Sequence, residues 1–152
     1  MVNNYIDFQT ANECSAYASA YVMRHLGQQI TGPELYDDIH RVFGFVPINH
    51  VVRLFQNYGY TAKAYHGDLN TMKQRLVSGI PIIAFIRIPN DTHYVVIVGY
   101  DENFIYLVDS ISDNSNANGS WYNRKLSTGE FEEIWSTNMY PVENIYIVIG
   151  LL

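Results

Sequence analysis

Phe8-Gln9-Thr10-Ala11-Asn12-Glu13-Cys14-Ser15-Ala16-Tyr17-Ala18-Ser19-Ala20 passes from polar coil to helix at the only cysteine of the chain. Asn12 is the expected N-cap, since its side chain can accept a bond from an orphan helical N–H. A thiol in the first turn sits at the positive end of the helix dipole, which favours thiolate over thiol. The helix is expected to run to about Leu26, where Gly27 offers a stop and Arg24 and His25 complement the dipole. Its small residues, Ser15, Ala16, Ala18, Ser19 and Ala20, let it lie close on a sheet and fix the depth of the sulfur. A lone buried cysteine is also an ordinary packing residue. The rest of the chain decides between the two.

A nucleophilic cysteine needs a base, and the base needs a third group to hold its tautomer. Thr92-His93-Tyr94-Val95-Val96-Ile97-Val98-Gly99-Tyr100 opens an apolar strand with a histidine, and Asn103-Phe104-Ile105-Tyr106-Leu107-Val108-Asp109 returns to end on a carboxylate. A hairpin brings both residues to its open end. Side chains alternate faces along a strand, so His93 and Asp109 share a face only if the connection holds an odd number of residues. A three-residue turn at Asp101-Glu102-Asn103 meets that demand.

The order Gln9, Cys14, His93, Asp109, in these settings, resembles the papain-like cysteine peptidases, and most of all their bacterial branch that includes the double-glycine leader peptidases. The matching stretches are Gln9 to Gly27 with its ending Arg24-His25-Leu26-Gly27, Gly79-Ile80-Pro81-Ile82-Ile83-Ala84-Phe85, His93-Tyr94-Val95-Val96-Ile97-Val98-Gly99, and Leu107-Val108-Asp109. The resemblance implies that Cys14 is the nucleophile, His93 the base and Asp109 the orienting group. It makes Gln9 the side-chain donor of the oxyanion hole, with the Cys14 N–H as second donor. It also implies a peptide or protein substrate, thioester chemistry and no cofactor. Three departures stand out: Ser15 follows the nucleophile where glycine is usual, Ser110 follows Asp109 where proline is usual, and Gln9 is one residue closer to Cys14. A thiol acyltransferase shares these residues and differs in the acceptor, and a peptide-binding module could keep the groove without the reaction.

The chain has 152 residues, 48% of them hydrophobic, which suits one domain over 1–152 with a real core. Its start, Met1-Val2-Asn3-Asn4, has no basic or apolar signal region, and no apolar run approaches the length of a membrane span. One cysteine excludes an intrachain disulfide and fits a reducing cytoplasm. A formal charge of −6 without Lys/Arg clusters argues against nucleic acid. The oligomeric state is not legible.

Further elements follow from pattern. Gly32-Pro33 starts a helix through Leu35, Ile39 and Val42-Phe43, and Pro47 starts another through Val51, Leu54, Phe55 and Tyr58. Tyr60–His66 reads as a strand and Leu69–Val77 as a helix. Strands are expected at Ile80–Ile88, His93–Tyr100, Phe104–Asp109 and Ile145–Leu151. Ser127-Thr128-Gly129-Glu130 is a capping box opening a helix with Phe131, Ile134 and Trp135. Early helices and late strands give an α+β fold, a mainly antiparallel sheet against the Cys14 helix, and the resemblance implies that this fold is papain-like. His25, His40, His50 and His66 lack zinc spacing, so no metal site is expected. Asp109–Asn116 is rich in oxygen ligands yet lacks the turn glycine and closing glutamate of a calcium loop. Trp121 and Tyr122 are read as packing residues first and as a cleft wall second.

Overall fold

The computed structural model describes residues 4–39, 41–42, 44–119 and 121–152. Met1 to Asn3, His40, Phe43 and Ser120 lie outside the described residues. The signal-region reading of the first residues and the Phe43 end of the expected second helix fall there with them.

Eleven main elements follow in order: α1 (Cys14–His25), α2 (Gly32–Tyr36), α3 (Ile48–Asn57), β1 (Tyr60–His66), α4 (Leu69–Arg75), β2 (Ile82–Ile88), β3 (Asp91–Tyr100), β4 (Phe104–Val108), β5 (Arg124–Ser127), α5 (Thr128–Trp135) and β6 (Ile145–Leu151). The strands form one sheet in the order β1-β6-β2-β3-β4-β5, with every neighbouring pair antiparallel. The α+β reading holds.

The sheet is covered on both faces. Ile83, Phe85, Tyr94, Val96, Ile147 and Ile149 face α1 and α3, meeting Ala16, Ala20, Val51 and Phe55. Ile82, Ala84, Ile86, Val95, Ile97 and Leu107 face the other way, onto Met72 of α4 and Phe131 and Trp135 of α5. Burial on both faces explains why β2 and the middle of β3 are unbroken apolar runs without polar alternation. The Cys14 helix ends as its sequence demands. Gly27 takes φ +98°, a left-handed value that costs glycine little, and the Gln28 N–H returns to the Met23 carbonyl.

Two expectations need correction, and one strand comes without a reading in the sequence. The second helix stops at Tyr36, well before Val42. The Asp38 and Ile39 N–H groups bond Leu35 and Tyr36 in tightened turns, and Val42 then pairs with Phe45 across Gly44. Gly44 has φ +80°, so the chain reverses there instead of continuing a helix. The N-cap of α1 is Glu13 and not Asn12, and its side chain makes no cap bond. Arg124–Ser127, unassigned in the sequence, is the edge strand β5.

The β3–β4 hairpin meets the face requirement by another route. Three residues separate the strands, but Tyr100 pairs with Ile105 and the Asp101 N–H closes on the Phe104 carbonyl, which is a two-residue turn in register. Continued unbroken, that register would put His93 and Asp109 on opposite faces. A bulge between Ile97 and Gly99 shifts the pairing to Ile97–Leu107 and Val96–Val108. The extra residue restores the parity. Gly99 itself has no room for a side chain without displacement, since a Cβ there would lie 3.1 Å from the Trp121 ring.

Trp135 is 1% exposed and its indole N–H donates to the Ile145 carbonyl at 3.0 Å, tying α5 to β6. Trp135→Ala should cost about 3–5 kcal/mol of folding free energy, read as a lowered urea midpoint.

Candidate active site

Cys14 is half-buried at the first residue of α1, next to the chain that enters from Gln9. No side chain caps this helix, so the N–H groups of its first turn, that of Cys14 included, point outward without an intrahelical partner. Asn12, freed from the capping role, lines the cleft with Cys14 and Ser15.

His93 comes from the start of β3. It is 1% exposed and its Nε2 lies 2.7 Å from Oδ1 of Asp109, which is wholly buried. With Nε2 donating to the carboxylate, Nδ1 is the ring nitrogen left for Cys14, which lies close enough to act on the imidazole. Burial by itself would pull the imidazole down. The bonds to Asp109 and Cys14 outweigh burial and push its pKa up to about 9, so the ring is an imidazolium at neutral pH. Burial likewise raises the Asp109 carboxyl, but His93, the Ile111 N–H and Arg124 together hold it below the ordinary carboxylate range.

Asp109 accepts from four donors. His93 and the Ile111 N–H (2.9 Å) share Oδ1, while Arg124 Nη1 (2.9 Å) and Asn114 Nδ2 (3.2 Å) share Oδ2. Its backbone is clamped as well. The Asn123 amide accepts from the Asp109 N–H and donates to the Asp109 carbonyl, each at 2.8 Å. Asn123 and Arg124 are the residues that reading the sequence missed. Both sit where β5 begins, in the stretch that carries no alternation, and their partner lies 14 and 15 positions away.

Gln9 is fixed to the same strand end. Its backbone N–H donates to the Ser110 carbonyl at 2.8 Å, its Oε1 accepts from the Ser110 hydroxyl, and its Nε2 donates to the Ala11 carbonyl. The serine that stands where proline is usual thus makes a side-chain bond that proline lacks. The structure thus brings His93 onto Asp109, sets Cys14 close enough to act on the imidazole, and ties Gln9 to the residue after Asp109.

An open cleft of about 210 Å³ lies beside the sulfur. Its walls are the Asn12–Ser15 corner, Asp91, Thr92 and Tyr94 of β3, and the Gly44–Val46 turn. The Tyr94 hydroxyl donates to the Val46 carbonyl at 2.6 Å, which fastens that turn to the sheet. The turn just beyond the expected second helix is thus a cleft wall. Trp121 is elsewhere: it packs on Tyr106 and Tyr122 and borders a separate cavity with Tyr21, His25 and Pro81. Asn114 of the oxygen-rich loop turns to Asp109. Among the described residues no cluster of three or more His, Cys, Asp or Glu could hold a metal ion, and no helix is long and apolar enough to cross a membrane.

Asn123→Ala would leave the buried N–H and carbonyl of Asp109 without their partner. A loss of about 1–3 kcal/mol is expected, with the urea midpoint as readout.

The family model described as the Peptidase C39 family matches residues 3–144. No curated protein matches the chain. Among solved structures, a double-glycine motif protease from an AMS/PCAT transporter in complex with the leader peptide superposes with TM-score 0.75 at 20% identity, covering 99% of this chain and 94% of that one. The peptidase domain of Streptococcus ComA, a bi-functional ABC transporter involved in a quorum sensing pathway, gives 0.77 at 16% identity over 99% and 100% of the two chains. A C39-like peptidase from Bacillus anthracis gives 0.73 at 16% over 100% and 96%. At these identities the superpositions speak for the fold, and the family match covers nearly the whole sequence. The chain belongs to the Peptidase C39 family and is a cysteine peptidase.

Proposed function

We propose that Cys14, His93, Asp109 and Gln9 carry the peptidase reaction in a single domain spanning residues 1–152. The carrying observation is the buried imidazole held between Asp109 and Cys14 with its pKa pushed up to about 9. An imidazolium beside the sulfur is the partner a thiolate needs. The thiolate attacks the peptide carbonyl, and the charge that develops on oxygen is met by the Cys14 N–H and the Gln9 amide. Gln9 gives one amide hydrogen to Ala11, and a primary amide has a second to offer. His93 then protonates the leaving amine through Nδ1 while Asp109 keeps Nε2 engaged. Water, activated by the now neutral imidazole, hydrolyses the thioester.

The fold shared with a protease solved with its leader peptide supports a leader-like peptide as substrate. We place the reaction in the cytoplasm, where an unpaired thiol stays reduced.

Digestion of a peptide library that includes segments ending in two glycines, followed by mass spectrometry, tests this reading. Cleavage is expected at defined bonds, and Cys14→Ala should abolish it. Cleavage that survives Cys14→Ala sinks the assignment.

The pH profile follows from His93. Its pKa is raised, so the imidazolium is complete at neutral pH and is lost as pH rises through about 9. The rate should fall there. Asp109→Asn removes the carboxylate that lifts the imidazole, so the alkaline limb should move down toward 6.5 and the rate drop roughly a hundredfold or more. A limb that stays in place in Asp109→Asn would contradict the role given to Asp109.

A further inference from the structure

We propose that Arg124 is a positioning residue of the reaction, acting through Asp109: its guanidinium holds one carboxylate oxygen and offsets the charge that His93 feels. The inference rests on the reading of Cys14, His93 and Asp109 as the reacting triad. Its geometry is direct. The two oxygens of one buried carboxylate are divided between two cations, His93 at 2.7 Å on Oδ1 and Arg124 at 2.9 Å on Oδ2. Arg124 helps to keep the carboxylate ionised, and its charge has a second consequence for the other cation on that carboxylate. With a thiolate at Cys14 and an imidazolium at His93, Arg124 brings the set of four from one net negative charge to neutrality.

The charged groups around the imidazole come from four elements. Cys14 faces it from α1 and Asp109 from the end of β4. Arg124 stands behind Asp109 on β5, and beyond Arg124 is the exposed Glu130 of α5, on which its charge also acts. Tyr94, the neighbour of His93 on β3, faces Cys14. Arg124 is thus the one cation among them whose effect reaches His93 through the carboxylate. By weakening the pull of Asp109 it makes the imidazolium a stronger acid. A proton donor whose acidity lies nearer the working pH delivers its proton to the leaving amine more readily.

The test needs no peptide substrate. The rate at which iodoacetamide alkylates Cys14 is measured from pH 5 to 11 by mass spectrometry, with circular dichroism to establish folding. The wild type should show a fast plateau at neutral pH and an inflection at about 9, which His93→Gln removes. Arg124→Gln should move the inflection up by about half a pH unit or more. Arg124→Met, which keeps an aliphatic stem, gives the same reading should the Gln variant not fold. Arg124→Lys restores the charge and should restore the wild-type inflection. A folded neutral variant whose inflection coincides with the wild type or falls below it overturns the proposal. A Lys variant that shifts like the neutral ones does the same. If the wild type lacks the fast plateau, the triad reading fails and takes this inference with it. A plateau with unmoved inflections removes the role of Arg124 alone.

Discussion

A carboxylate with no exposure at all is the constraint around which this molecule is arranged. Removing an ionised group from water is costly unless its charge and lone pairs are met inside the protein. Asp109 is met by His93 from β3, by Arg124 from β5 and by the short turn that supplies the Ile111 N–H and Asn114. Each donor imposes a condition on the chain that delivers it. The β3–β4 ladder must carry a bulge, so that His93 comes to the face of Asp109. A fifth strand must return along β4, or Asn123 and Arg124 would not be there. The edge of the sheet is therefore determined by an electrostatic requirement as much as by apolar burial.

What could be read from the sequence follows the same division. Apolar runs and helix punctuation act over a few residues, and they located α1, β2, β3, β4, β6 and the Ser127 capping box of α5 closely. Where local signals conflict with tertiary ones, reading fails. Leu35, Ile39 and Val42 are spaced as on a helix, and Leu35 and Ile39 are indeed buried. Yet Ile39 reaches the core from a tightened turn, because Gly44 turns the chain back to wall the cleft. β5 begins with two cations and lacks alternation, so nothing local declares it a strand. Arg124 and Asn123 have meaning only through Asp109, and a pairing across 14 or 15 positions has no local signature.

The parity of the hairpin shows how a correct conclusion can rest on an incomplete premise. The requirement that His93 and Asp109 share a face was sound, because alternation in a pleated strand leaves no other choice. A three-residue turn was the simplest way to satisfy it. The chain uses a two-residue turn and one unpaired residue instead. Bulges are invisible to patterns of apolar residues when both faces of the sheet are buried, since an extra valine among isoleucines and valines changes nothing in the pattern. Gly99 was the available sign, and its small size is explained by the Trp121 ring above it.

The adjacency of Asp109 and Ser110 joins two parts of the chemistry that are otherwise remote. Asp109 holds the His93 ring through Nε2. The next residue binds Gln9 twice, through its carbonyl and its hydroxyl. A shift of the strand end would therefore move Asp109 and Gln9 together, keeping their separation while changing their distance from the sulfur. The sulfur is fixed independently, by small residues that pack α1 onto the sheet. Rate in such a site depends on ångström-scale registration of the nucleophile against its partners. The contacts that matter most are then those that tie α1 to the 109–110 corner, and the Gln9 segment, anchored to one and leading into the other, is the link between them.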